Sequence, residues 1–146
     1  MLYLDTSFVV PLFLPEPTSD KIERFLSRKH AAPLAISHWT RVEFSSALAR
    51  EVRMGSVTRK AAIKADAQFA EVTSESFVIL LPTAGDFDLA MHFLRRYKSG
   101  LRAGDALHLA IASNNGAAAV YSLDKTFLAA GRRLGLKARV GIRLRK

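Results

Sequence analysis

The sequence predicts an α/β fold: a three-layer α/β/α sandwich with a central, mainly parallel sheet, formed as one domain over residues 1–146. Short apolar runs alternate with stretches of helical periodicity along the whole chain. Strands separated in this way by helices pair in parallel through crossovers that cover both faces of a sheet. At 146 residues, 49% of them hydrophobic and 24% charged, the chain is large enough for one proper core and has ordinary globular composition. No repeat, low-complexity segment or linker divides it.

The elements follow in order. "MLYLD" reads as a buried strand. After prolines 11, 15 and 17, "TSDKIERFLSRK" places Ile22, Phe25 and Leu26 at helical spacing, with Thr18 or Ser19 as cap. "PLAIS" is a second short strand, and "SHWTRVEFSSALAREVRMG" a helix ending near Gly55. A further helix starts at Thr58 and runs to about Ser74. "SFVILLP" is the strongest strand signal in the chain. "DFDLAMHFLRRYK" is amphipathic through Phe87, Ala90, Met91 and Leu94. "GDALHLAIASNNG" is an alanine-rich buried helix stopped by Gly116. "AAVYSLD" is a strand, "KTFLAAGRRLG" a helix, and "ARVGIRL" a last strand.

Composition narrows the function. Twenty-two Lys and Arg against 13 Asp and Glu give a net charge of +9, which points to an anionic partner, nucleic acid first. A solvated basic surface kept for solubility is the plainer explanation. Cysteine is absent, which removes thiolate chemistry and disulfides and fits a cytoplasmic protein. The apolar runs are too short to span a membrane, and the N-terminus lacks the basic segment of a signal peptide. There is no Walker loop, no G-x-G-x-x-G and no G-x-S-x-G elbow.

Ligands of parallel sheets bind beyond the C-terminal strand ends, so unusual residues there are informative. Asp5 ends the first strand and is followed by Thr6 and Ser7; a turn or helix cap is the plain alternative. Glu43 lies on or beside the apolar stripe set by Trp39 and Ala47. A bare buried carboxylate is expensive, so it needs a metal or a partner such as Arg41 or Arg50. Asp105 opens an almost wholly apolar helix, where a charge at the helix N-terminus is also favourable. Asp124 ends the strand "AAVYSL", with Ser122 on the same side two residues before it; a helix cap is again the alternative. The other acids, Glu16 and Asp86 among them, read as exposed or first-turn residues. His108 stands one turn after Asp105, to orient it or simply to pack. His30, His38 and His92 show no zinc spacing. Clustered carboxylates repel unless protonated or bridged by a cation, and hard oxygen ligands suit Mg²⁺ or Mn²⁺.

With these residues in place the chain resembles a PIN-domain ribonuclease of the VapC-type toxins of toxin–antitoxin pairs. The matching stretches are "LDTSFVVPLFLPEP", "ISHWTRVEFSSAL", "LRAGDALHLAIA" and "VYSLDKTFLAAGRRLGL", in the family's order over nearly the whole chain. The resemblance implies a metal-dependent endonuclease acting on RNA, with Asp5, Glu43 and Asp105 as core metal-binding acids and Asp124 as the fourth. Thr6 or Ser7 matches the hydroxyl after the first acid, and Ser122 stands where the family often has threonine. It also implies a cognate antitoxin protein and a homodimer, to which the helices around Trp39 to Val52 and Ala61 to Phe69 are suited. Two other functions compete. A haloacid-dehalogenase-like phosphatase wants a second aspartate two residues after the first, where this chain has Ser7. A basic nucleic-acid-binding protein without catalysis has no need of acids at all four positions.

Overall fold

The computed structural model describes residues 1–29 and 32–143. Among these residues five strands form one sheet: β1 (Leu2–Leu4), β2 (Leu34–Ser37), β3 (Phe77–Leu80), β4 (Ala119–Tyr121) and β5 (Ala138–Arg139). Their order is β3-β2-β1-β4-β5, and every neighbouring pair is parallel. Seven α-helices among the described residues flank them: α1 (Thr6–Val9), α2 (Ser19–Leu26), α3 (His38–Arg53), α4 (Arg59–Ser76), α5 (Ala84–Leu94), α6 (Ala103–Asn114) and α7 (Lys125–Arg133).

The pleat of the central strands sorts these helices into two layers. Leu2 and Leu4 of β1, Ile36 of β2 and Tyr121 of β4 point into a core shared with Phe8, Ile22, Phe44 and Phe69 from α1 to α4. Tyr3, Ala35 and Val120 point the other way, against Phe93, Leu109 and Phe127 from α5 to α7. Alternate side chains face opposite sides of a sheet, so three-residue strands suffice to divide the core. The three-layer sandwich expected from the sequence is the observed fold. Residues Ala106 to Ala112 of α6 are all buried, as befits a helix apolar on every face.

Several expectations need correction. The residues after Asp5, which read only as an apolar run, form the short helix α1 and a 3-10 turn over Val10–Leu12. Thr18 stands at the cap of α2, but its hydroxyl makes no cap bond. β3, the strongest strand signal, is an edge strand with Val78 43% exposed. α5 buries Asp86, Ala90 and Phe93 and leaves Phe87 and Met91 half exposed. That rotation lets the Asp86 carboxylate bind the Thr83 amide and Asn114 on α6. α5 also ends at Leu94, before the basic residues that continued its pattern. β5 is only Ala138–Arg139, because Gly141, at φ 70°, turns the chain close against Tyr121. Leu144, the end of the expected last strand, and His30 lie outside the described residues.

Candidate active site

The chain runs from β1 outward to β2 and β3 on one side, then crosses to β4 and β5 on the other. The strand order therefore reverses between β1 and β4, which leaves a crevice beyond their C-terminal ends. Asp5 follows β1 into this crevice, and Ser122 follows β4.

Asp5 is 5% exposed. Its Oδ1 accepts from the Ser7 hydroxyl at 2.7 Å and the Phe8 amide at 3.2 Å, and its Oδ2 accepts from the Ser122 hydroxyl at 2.9 Å. Each serine also accepts from the β4–α7 turn, Ser7 from the Leu123 amide and Ser122 from the Asp124 amide. The two hydroxyls thus stitch the ends of β1 and β4 together through the carboxylate. Asp5 caps α1 as well, so the plain and the functional readings of this residue coincide. Burial pushes its carboxyl above the ordinary aspartate range, against the pull of the His108 charge and these hydrogen bonds.

Glu43 projects from α3 toward the same crevice. Its Oε2 lies 2.7 Å from His108 Nε2 and accepts from the Thr6 hydroxyl. The other ring nitrogen of His108, Nδ1, lies 2.7 Å from the Tyr3 hydroxyl, itself 2.9 Å from Ser37 Oγ. The Tyr3 hydroxyl donates to Ser37 Oγ, and Nε2–H donates to the Glu43 carboxylate. Burial alone would raise the Glu43 carboxyl, but the His108 hydrogen bond and charge, with the Thr6 hydroxyl, outweigh it and leave it below its ordinary value. Oε1 points at the first turn of α6. A Cβ on Gly104 would lie 2.6 Å from it, with the indole nitrogen of Trp39 at 3.4 Å. That indole nitrogen is buried and makes no hydrogen bond of ordinary geometry among the described residues, but it is near enough to help lower the Glu43 carboxyl.

Asp105 is half-buried in the first turn of α6, held by the Arg102 amide at 3.4 Å. Burial raises its carboxyl, and repulsion from Asp124 and Glu43 raises it further. Asp124 is exposed and caps α7, accepting from the amides of Thr126 and Phe127 at 2.6 and 3.0 Å. A cleft of about 590 Å³ opens beside these groups, lined by Thr6, Ser7, Glu16, Glu43, Arg50 and Asp124 among others. Asp5 does not line it, but is hydrogen-bonded to Ser7, which does.

Among the described residues no three His, Cys, Asp or Glu side chains are gathered closely enough to form a complete cation cage. The donor set nonetheless fits a hard divalent ion. It offers oxygen ligands only, Asp105 is repelled by Asp124 and by Glu43, and a cation beside Asp105 would relieve that repulsion.

The structure therefore places Asp105 within the field of Asp124 and Glu43, and Asp5 and Glu43 both within that of His108, while among the described residues the four carboxylates do not close into one group. Two readings change. The partner of Glu43 is a histidine, while Arg50 pairs with Glu51 and Arg41 with His38. His108 orients Glu43 and not Asp105, because the α6 turn that carries it faces β1. Glu16, read as a surface acid, lines the same cleft; its place between Pro15 and Pro17 gives no sign of that. Tyr3 was likewise missed, and only the strand alternation that turns it away from Leu2 and Leu4 could have suggested it.

Residues 2–133 match the sequence model of the PIN domain. No curated protein sequence matches the chain. Among solved structures the chain is similar to Mycobacterium tuberculosis VapC20, described as a sarcin-ricin loop cleaving toxin, with a TM-score of 0.71 at 23% identity over 90% of this chain and 95% of that one. It is similar also to PAE2754 from Pyrobaculum aerophilum, at 28% identity and a TM-score of 0.61 over 88% and 78% of the two chains. VapBC2 from Rickettsia felis, solved with a fragment of its promoter DNA, gives 0.70 at 17% identity over 95% and 98%. With that match over nearly its whole length, the chain belongs to the PIN-domain family.

Proposed function

We propose that this chain is a divalent-metal-dependent endoribonuclease, the cytoplasmic toxin of a toxin–antitoxin pair, working as a homodimer and restrained by a cognate antitoxin protein. The observation that carries the reading is the Asp5 carboxylate. It is buried at the β1/β4 crevice with a serine hydroxyl on each oxygen, and at the start of α6 Asp105 is repelled by Asp124 and by Glu43. So costly an arrangement is hard to explain as capping alone. Family membership supports hydrolysis of nucleic acid, and similarity to toxin–antitoxin complexes supports the protein partner.

In this reading Asp5, Glu43, Asp105 and Asp124 hold Mg²⁺ or Mn²⁺. A bound divalent ion supplies polarisation of the phosphate and an activated water. Ser7 and Ser122 fix the Asp5 oxygens, and Thr6 and His108 fix Glu43, so that the carboxylates need no rearrangement during the reaction. His108, backed by the buried hydroxyls of Tyr3 and Ser37, holds Glu43 ionised and oriented. The basic surface attracts the RNA backbone to an acidic pocket that repels it without metal. Exposed Val42 and Ile63 on α3 and α4 suit an interface between two copies.

The test is cleavage of a panel of RNAs with Mg²⁺ or Mn²⁺ and with EDTA. Asp5→Asn and Asp105→Asn are expected to abolish cleavage with the fold intact. Expression of the parent chain is expected to slow growth, and co-expression of the antitoxin to relieve it. Full activity in either variant would defeat the mechanism. Harmless expression of soluble, metal-loaded parent would sink the toxin reading while leaving the nuclease.

A further inference from the structure

Between α5 and α6 the chain reads "RRYKSGLR", from Arg95 to Arg102. Tyr97 opens a 3-10 turn, Tyr97–Ser99, and is 89% exposed, more than any other exposed large apolar side chain among the described residues. Arg96, Tyr97 and Lys98 face Ala130, Arg133 and Leu134 of α7 across a second cleft, of about 370 Å³. No carboxylate lines it. Among the described residues none of its three cations is in an ion pair.

The turn is anchored to the candidate active site on both sides. Gly100, at φ 73°, packs so closely on α7 that a Cβ would lie 3.2 Å from Thr126 Cγ2. The Thr126 amide is the one that Asp124 caps. Two residues after Gly100, Arg102 leads into α6, whose first turn carries Asp105. Ala130 and Arg133 lie six and nine residues beyond Asp124, roughly 9 to 14 Å along the helix at 1.5 Å per residue. The cleft has the size of a small-molecule pocket and is too small for a partner helix. An open aromatic face among unpaired cations is what an unstacked base with its flanking phosphates requires.

We propose that this cleft is a single-stranded RNA subsite. One unpaired base stacks on the Tyr97 ring, and Arg96, Lys98 and Arg133 take the adjoining phosphates, so that the strand is led toward the Asp105 and Asp124 carboxylates. The proposal rests on the nuclease reading for its direction, but the subsite is a binding site and is tested as one.

The test is fluorescence anisotropy of a labelled single-stranded RNA on the full chain carrying Asp5→Asn, with Mg²⁺, so that the RNA stays whole. Tyr97→Ala is expected to weaken binding roughly ten-fold, the scale of one lost stacked base, while Tyr97→Phe and Tyr97→Trp keep it within about two-fold. The indole emission of Tyr97→Trp falls on RNA addition by more than that of the same chain with Tyr97, whose indole signal is Trp39 alone. Arg96→Ala with Arg133→Ala lowers the slope of log affinity against log salt by about 1.4, at ~0.7 per phosphate contact on a single strand. Lys60→Ala with Lys64→Ala on α4 leaves the slope unchanged. Unaltered affinity in Tyr97→Ala overturns the proposal, and so does equal loss in the two charge pairs, which would mean unspecific attraction. Loss of antitoxin inhibition in Tyr97→Ala with RNA binding intact assigns the cleft to the protein partner and also overturns it. Tyr97-dependent binding by a parent chain that cuts no RNA keeps the subsite and rejects the nuclease reading. Cleavage with binding indifferent to Tyr97 does the reverse.

Discussion

Gly104→Ala tests the placement of Glu43 with a single methyl group. Its Cβ would stand 2.6 Å from Glu43 Oε1, whereas ordinary contact begins near 3.4 Å. The obstructing atom ends a flexible side chain, so the carboxylate retreats by the difference, about 0.8 Å. Its other oxygen is held by His108 Nε2 at 2.7 Å and by Thr6, and a shift of that size breaks one or both bonds. The helix gains about 0.5–1 kcal/mol on replacing glycine. A charge-assisted hydrogen bond is worth about 1.5–3 kcal/mol, less where water can replace it, as at half-buried Glu43. Stability is therefore expected to change by no more than about 1–2 kcal/mol, a shift of a few degrees in Tm. Catalysis has no such compensation, since a misplacement of ~1 Å can cost on the order of 10²-fold. The assay pairs a thermal melt with initial rates of RNA cleavage at saturating Mg²⁺. A Gly104→Ala protein that melts normally and cuts at the parental rate would refute the contact between Glu43 and the start of α6.

Metal is expected to stabilise the parent chain: at a hundred times its Kd a bound ligand adds about 2.7 kcal/mol, roughly 5–10 °C for a domain of this size. Scanning calorimetry with Mg²⁺ and with EDTA checks this, and Asp105→Asn should lose the shift while melting no lower than the parent in EDTA. The pH dependence in EDTA has two signs. Asp5 and Asp105 are raised in the fold, so each makes stability fall as pH climbs from the ordinary aspartate value, about 3.9, through its raised value. Glu43 is lowered, and its contribution is present above the ordinary glutamate value, about 4.3, and lost as pH falls through the lowered one. Urea unfolding between about pH 4 and 7 should show the decline, and Asp5→Asn should flatten it. Gly131→Ala places a Cβ 2.9 Å from Ala138 Cβ and 3.1 Å from Leu109 Cδ2. Overpacking of about 1–3 kcal/mol exceeds the helix gain, and a Tm at or above the parental value would contradict the close approach of α7 to β5.

What could be read from the sequence was whatever depends on local pattern. The helices read as starting at Ser37 and Thr58 do start there, each residue turning out to be the cap, and Gly116 ends α6 at φ 62°. The acids of the crevice stood out because each interrupts an apolar segment or ends one. Their partners did not, because partnership across a sheet is a tertiary fact. Nothing local distinguishes His108 as a ligand of Glu43, 65 residues away. Nor does local pattern show that Tyr3 and Ser37 continue the chain of hydrogen bonds behind it. The α5 face was misread for the same reason. Phe87 and Met91 have the right period, but Asp86 binds Asn114 of α6 and turns the helix by its own polar contact.

The stitch between Ser122 and Asp5 joins residues 117 positions apart, and that sets a schedule for the newly made chain. β1, β2 and β3, with α1 to α4, can assemble as the first half is synthesised, at about 5–20 residues per second. Until β4 is made and pairs beside β1, Asp5 lacks one of its two serines, Leu123 and Asp124 have no place, and the crevice has only one wall. A truncated or half-synthesised chain would therefore present a folded layer of helices with no working centre. The destructive chemistry proposed for this protein would switch on only in the last moments of its synthesis, because its first strand lies in the middle of its sheet.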